Sequence, residues 1–170
     1  MDRRVKIGIS SCLLGKNVRY DGGHKLDKCL IGAFEGFAEW VPVCPEVECG
    51  LSVPREEMKL AGTSDFPHLV TVNTNIDYTQ LMQEWMGKRF AVLENENICG
   101  FILKSKSPSC GLDGIKIFNE SGIAETNGPG IFTSRLIKHF PAIPVEDERR
   151  LQYEEIRGAF LAQILKFARQ

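Results

Sequence analysis

The sequence predicts an α/β fold, a mainly parallel sheet flanked by helices in the Rossmann-like manner, on three observations. Apolar strand-like runs alternate with stretches of helical periodicity along most of the 170 residues, as a parallel sheet with crossover helices requires. Three of the apolar runs end in a cysteine: Lys6 to Cys12, Trp40 to Cys44, and Ile98 through Leu103 to Cys110. Open parallel sheets form their ligand crevice at the carboxyl ends of the strands. Strands of this kind therefore bring three thiols to one point.

A chain with 43% hydrophobic and 25% charged residues suffices for one domain with a sizeable core. Residues 1–146 read as that domain, and 147–170 as a C-terminal helix that packs on it or leads to a further domain. The net charge of -1 gives no bulk attraction to phosphate backbones, so nucleic-acid binding requires a local patch. Met1-Asp-Arg-Arg-Val-Lys6 enters a strand without a signal sequence, and no apolar run approaches the ~20 residues that span a bilayer. These features point to a cytoplasmic protein without a membrane partner. In that compartment six cysteines read as metal ligands, nucleophiles or small core residues rather than disulfides. Cys29 and Cys99, one in a helical stretch and one in an apolar run, fit the core reading.

Taken in order, the first strand leads into Cys12-Leu-Leu-Gly-Lys-Asn-Val-Arg-Tyr-Asp-Gly-Gly-His24. Arg19, Tyr20, Asp21 and His24 are polar groups able to face a ligand there, although a solvated turn on Gly22-Gly23 explains the glycines equally well. Leu30, Ile31, Phe34, Phe37 and Ala38 carry helical spacing over Leu26 to Ala38. The strand Trp40–Val43 follows, and Pro45, which has no N–H to donate, ends its ladder. Gly50 to Arg55 reads as extended backbone ahead of proline, with Arg55 the nearest fixed cation to Cys44 and Glu46. His68–Asn73 is a further strand, and Asp77 caps a helix carrying Leu81, Met82, Trp85 and Phe90.

After the strand that leads to Cys110, Gly114–Asn119 forms another. Asn127-Gly-Pro-Gly130 opens a helix from about Ile131 to His139. Ala142–Val145 is a short closing strand. Asp147 then starts an amphipathic helix with Leu151, Ile156, Phe160, Ile164 and Phe167 on its apolar face. Lys104, Lys106, Lys116, Arg135 and Lys138 are candidates for a basic rim.

Soft thiolates select zinc, Cu(I) or an iron-sulfur centre. Structural zinc sites use paired knuckles, and the only candidate pair is Cys44 with Cys49. Cys12 and Cys110 are single and distant in sequence, which favours an iron-sulfur cluster gripped by separate loops over zinc.

The motifs Ser11-Cys12-Leu-Leu-Gly15, Val18-Arg-Tyr-Asp-Gly-Gly23, Cys44-Pro-Glu46, Gly50-Leu51 with Pro54-Arg55, and Ser107-Pro-Ser-Cys110-Gly111 resemble the thiouracil desulfidase family in order and spacing. The resemblance runs from about Lys6 to Val145. It implies a 4Fe-4S cluster on Cys12, Cys44 and Cys110 and catalytic roles for Glu46 and Ser107. Candidate substrate contacts are Ser11, Arg19, Tyr20, Asp21, Arg55 and Ser109. The implied reaction converts a thiolated pyrimidine to its oxo form with release of sulfide and no net redox change. With three protein ligands a cubane keeps one iron open to the thiocarbonyl sulfur.

Phe140 to Leu151 resembles the connector of longer, two-domain members, whose substrate is thiouridine in transfer RNA. The resemblance thus implies 2-thiouracil, 4-thiouridine or a tRNA-borne base as partner. Cys49 is outside the recognised pattern. As a fourth ligand it would close the cluster and turn the protein into a non-catalytic iron-sulfur module, and a zinc-binding module is the other alternative.

Overall fold

A computed structural model describes residues 4–169. Within them the order is β1 (Val5–Ser10), α1 (Lys28–Ala33), β2 (Ala38–Val43), α2 (Pro45–Glu48), β3 (Met58–Gly62), β4 (Pro67–Thr71) and α3 (Thr79–Glu96), followed by β5 (Gly100–Leu103), β6 (Ile115–Phe118), β7 (Ala124–Gly128), α4 (Ile131–His139), β8 (Val145–Asp147) and α5 (Glu154–Ala168). A parallel sheet runs β2-β1-β5-β8, which is the α/β class expected from the sequence. The chain leaves β1 for β2 on one side and returns as β5 on the other. The carboxyl ends of β1 and β5 therefore flank the crevice that such a reversal opens.

Alternation along the strands divides the core between the two faces of this sheet. Ile7, Ile9 and Ile102 pack with Leu30 and Phe34 and with Phe160 and Ile164 of α5. Phe101 and Leu103 point the other way, into a cluster with Met82, Met86 and Phe90 of α3 and Phe132 of α4. Gly8 faces the same way, and a Cβ there would lie 2.3 Å from the Phe101 ring. The glycine is what lets the ring lie flat on β1, and full burial of such a side chain contributes about 1.5–3 kcal/mol.

The remaining strands form a second sheet, β4-β3-β6-β7, with antiparallel hairpins at β3/β4 and β6/β7 and a parallel β3/β6 pair. The runs read as strands at His68–Asn73 and Gly114–Asn119 appear as β4 and β6, in this sheet rather than in the parallel one. The burial pattern explains the segregation. All four residues of β5 are buried, as a strand covered on both faces requires, whereas in β6 buried Ile115 and Ile117 flank exposed Lys116. Leu60, Leu69, Ile115 and Ile117 join the α3/α4 core cluster.

The helix expected over Leu26–Ala38 is shorter. Asp27 caps α1 by accepting from the Leu30 N–H at 2.9 Å, and the chain turns through Gly36, at φ 77°, into β2 at Ala38. Cys29 is consequently exposed and not a core residue, whereas half-buried Cys99 packs against the cluster that holds Ile7 and Phe160.

Asp77 is not the N-cap residue of α3, which is Tyr78, yet its carboxylate still accepts from the Thr79 N–H at 2.8 Å. The closing strand lies at Val145–Asp147, with the Pro144 carbonyl accepting from the Phe101 N–H. Asp147 does not open α5. Its fully buried carboxylate accepts from the Arg149 and Arg150 N–H groups and holds a short 3-10 turn ahead of that helix. No helix among the described residues is long and apolar enough to cross a membrane.

Candidate functional site

Cys12, Cys44 and Cys110 follow the carboxyl ends of β1, β2 and β5, three adjacent parallel strands, and all three line one cavity of about 190 Å³. Each is presented by a different local device. After Ser10 the chain enters a 3-10 turn at Ser11–Leu14, which Gly15 closes in the left-handed region at φ 84°. The Cys12 carbonyl accepts from the Gly15 and Lys25 N–H groups, which ties the following loop back over the site.

Cys44 stands at the N-cap of α2, with Pro45 at the first helical position where a missing N–H costs nothing. Its own N–H donates to Glu48 Oε2 at 2.7 Å. Cys110 lies in a tight loop organised by Ser107, whose hydroxyl accepts from the Ser109 N–H at 3.2 Å and the Cys110 N–H at 3.0 Å. The first N–H groups of α4 donate to the Pro108 and Ser109 carbonyls. A Cβ at Gly130 would lie 2.3 Å from the Ser109 carbonyl oxygen, so only glycine permits this clasp.

Burial pushes the Cys12 thiol up to about 11 and the Cys44 thiol up to about 12. It also raises Cys110, despite a hydrogen bond from the Ser10 side chain. At neutral pH these thiols stay protonated until a soft cation displaces the protons. No group of three or more His, Cys, Asp or Glu residues among the described residues is arranged to hold a single metal ion.

Glu46, on the first turn of α2, is a buried carboxylate in the same cavity. Ser109 Oγ donates to its Oε1, and the Cys44 thiol lies 3.7 Å from its Oε2. Ser109 itself is fully buried and outside the lining, so it faces Glu46 rather than the space a substrate would fill. Ser107 does line the cavity and lies 3.4 Å from Ser109 Oγ, which links it to Glu46 through Ser109.

Of the remaining candidates, Ser11, Arg19, Tyr20 and Arg55 line the cavity. Asp21 does not. It closes the neighbouring turn by accepting from the Gly23 N–H at 2.9 Å and sits 3.8 Å from Arg19. Arg55 is tied down through its backbone, its N–H donating to the Tyr20 carbonyl at 2.8 Å, while its buried Nε finds no hydrogen-bond partner among the described residues. Cys49 lies outside the lining. Its thiol donates to the Glu46 carbonyl at 3.2 Å and packs into the α3/α4 core.

This arrangement coincides with a match over residues 7–148 to the family model described as 2-thiouracil desulfurase. The chain belongs to the 2-thiouracil desulfurase family. A Bacillus subtilis (strain 168) protein, YbbK, is 33% identical over 135 residues, which cover 76% of this chain and 87% of that protein. The solved structure of a 4Fe-4S-dependent thiouracil desulfidase, TudS, superposes with a TM-score of 0.69 at 33% identity and covers 94% of this chain and 99% of that one.

For a member of the desulfurase family, the surroundings of the thiols add residues that sequence reasoning did not single out. Ser10 accepts from the Lys104 N–H at 2.9 Å as well as bonding Cys110. Glu57 and Met58 enter the wall from the start of the second sheet, and nothing local in the sequence marks them. Arg19, Arg55, Lys104 and Lys106 against Glu46 and Glu57 leave the lining rich in positive charge. Past Arg19, Lys104 and Ser107 the cavity continues into a shallow groove that adds His24, Lys25, Lys28 and Arg149. Arg135 and Lys138, expected in a basic rim, line a separate groove with His68.

Proposed function

We propose that the protein is a cytoplasmic desulfidase that converts a thiolated pyrimidine to its oxo form and releases sulfide, using a 4Fe-4S cluster held by Cys12, Cys44 and Cys110. The observation that carries this reading is the convergence of three buried thiols and one buried carboxylate on a single cavity. The donor set fits the cofactor: three sulfurs that need a soft cation to lose their protons, with Cys49 turned into the core. With Cys12, Cys44 and Cys110 as its protein ligands, such a cluster would be able to accept a substrate sulfur. When bound, the cluster supplies a sulfur-preferring Lewis acid that makes sulfide a bearable leaving group.

The side chains supply the rest. Glu46, held on one oxygen by Ser109, takes a proton from the attacking water with its other oxygen. The water oxygen bonds to the thiocarbonyl carbon, the carbon–sulfur bond breaks, and the sulfur leaves as hydrogen sulfide, so atoms and electrons balance without an external redox partner. Ser107 accepts two backbone N–H groups, and because Ser109 donates its one proton to Glu46, the Ser107 hydroxyl donates to Ser109 Oγ until the pyrimidine ring offers a better acceptor. Arg55, whose Nη1 donates to the Ser52 carbonyl at 3.3 Å, brings positive charge to the space that Tyr20 and Ser11 also line.

Free 2-thiouracil, 4-thiouridine and a tRNA-borne thiolated base share the reacting group. The adjoining groove with Lys25, Lys28 and Lys106 supports carriers that bring a phosphate. Anaerobically reconstituted protein should release sulfide from 2-thiouracil or 4-thiouridine and bleach the thiocarbonyl absorbance. Absence of both signals across several thiolated bases, in protein with a full complement of iron and labile sulfide, would overturn the proposal.

A further inference from the structure

The backbone of Cys44 is held by a charged pair that lies behind the cavity and takes no part in lining it. The ladder between β1 and β2 ends at Ser10 opposite Val43, so the next N–H, that of Cys44, has no strand partner. Glu48 takes its place. The last residue of α2 reaches back four positions, and its Oε2 accepts from the Cys44 N–H at 2.7 Å. Its Oε1 faces Arg89 Nε at 3.2 Å. Arg89 projects from α3 with only 14% of its side chain exposed, and its far end lies 3.5 Å from Glu96 Oε2.

Distance and direction disagree at this arginine. Both contacts fall within ion-pair range, yet Arg89 Nε and Glu96 Oε2 are buried without an aligned hydrogen bond among the described residues. Charge therefore holds Arg89 against Glu48, and the directional bond is the one Glu48 accepts from Cys44. Pro45 offers no N–H, so the Cys44 backbone is held here from both sides by Glu48: its carbonyl accepts the Glu48 N–H at 2.9 Å, and its own N–H rests, among the described residues, on the Glu48 carboxylate alone.

We propose that Glu48 and Arg89 are positioning residues for Cys44, a clamp through which α3 sets the direction in which the Cys44 sulfur enters the cavity. The inference rests on the reading of Cys44 as a cluster ligand, and it adds two residues outside the site to the machinery that holds the cluster. Partners behind a metal ligand orient it and tune the metal, and here the partner grips the ligand through its backbone.

The test uses the full chain with Glu48→Ala, Glu48→Gln and Arg89→Met, each checked for a cooperative thermal transition. In the reduced, cluster-free protein, hydrogen exchange of the Cys44 amide should quicken about tenfold or more in Glu48→Ala and by less in Glu48→Gln, whose amide oxygen still accepts but no longer holds Arg89 by charge. Arg89→Met, which breaks the same charge pair while leaving the acceptor, should exchange at a rate close to that of Glu48→Gln, and a rate as fast as Glu48→Ala or indistinguishable from the parent would remove Arg89 from the clamp. After anaerobic reconstitution, Glu48→Ala should lose iron to a chelator about 10-fold faster, at the low end for such partners, and shift the electron paramagnetic resonance of the reduced cluster. Glu48→Gln should recover a large part of both.

Unchanged Cys44 exchange in Glu48→Ala, or iron loss that Glu48→Gln fails to rescue, would overturn the clamp. A parent chain that takes up no iron would overturn the cluster reading instead, and the amide exchange would still decide the clamp.

Discussion

Replacing Ser109 with alanine removes one hydroxyl that no solvent reaches and that bonds the buried carboxylate of Glu46. A hydrogen bond to a charged group contributes about 1.5–3 kcal/mol, and losing it leaves a buried carboxylate oxygen short of a donor. Stability should fall by about that amount in urea unfolding of the reduced protein, as a lower midpoint at unchanged slope. Because the same bond aims Glu46, turnover should fall by about 10- to 100-fold if the lost energy is felt in the transition state, at ~1.4 kcal/mol per factor of ten. Sulfide release under anaerobic conditions measures the second quantity, and iron content separates it from cluster loss. Ser109→Ala with full iron, turnover within about twofold and stability within ~0.5 kcal/mol of the parent would refute the assignment. A loss of stability alone would leave Ser109 as a packing residue and remove it from the account of Glu46.

Three further outcomes are expected. Cys49→Ser should keep the iron and labile sulfide of the parent, because the Cys49 thiol bonds the Glu46 carbonyl away from the cavity; loss of iron would make it a fourth ligand and favour a non-catalytic module. In the cluster-free protein, Cys12 and Cys44 keep their protons up to about 11 and about 12, while the unfolded thiols ionise near 9.0. The unfolded state thus holds fewer protons in that window, and stability should fall as pH rises above 9, by ~1.4 kcal/mol per unit of raised pKa as an order of magnitude. Denaturant midpoints across that range should flatten in Cys12→Ser relative to the parent, and parallel profiles would contradict the sign. Gly8→Ala should destabilise by ~1–3 kcal/mol through overpacking, since the new methyl would lie 2.3 Å from the Phe101 ring. An unshifted midpoint would mean that β1 and β5 do not pack as described.

The three cavity cysteines were legible early because a strand end is a local event. An apolar run stopping at a thiol, with proline immediately after Cys44, depends on neighbours in the chain. The second sheet was not legible in the same way. Ile115 to Phe118 has the composition of a strand, but which sheet it joins depends on what covers its faces, and Met58–Gly62 and Ala124–Gly128 carried no comparable signal. The span of α1 was overestimated because Phe34, Phe37 and Ala38 follow helical spacing while belonging to the turn and to β2.

By itself the sequence determined the fold class, the family motifs and the identity of the thiols, since hydrophobic period, turn residues and motif spacing are all written along one dimension. Tertiary structure alone decided that Ser109 turns to Glu46, that Asp21 stays in its own turn and that Cys49 faces the core. It alone joined Arg89 to Glu48 and so to Cys44. Each of those choices is a contest between a buried partner and water, and which side prevails depends on atoms brought close by folding from segments far apart in the chain.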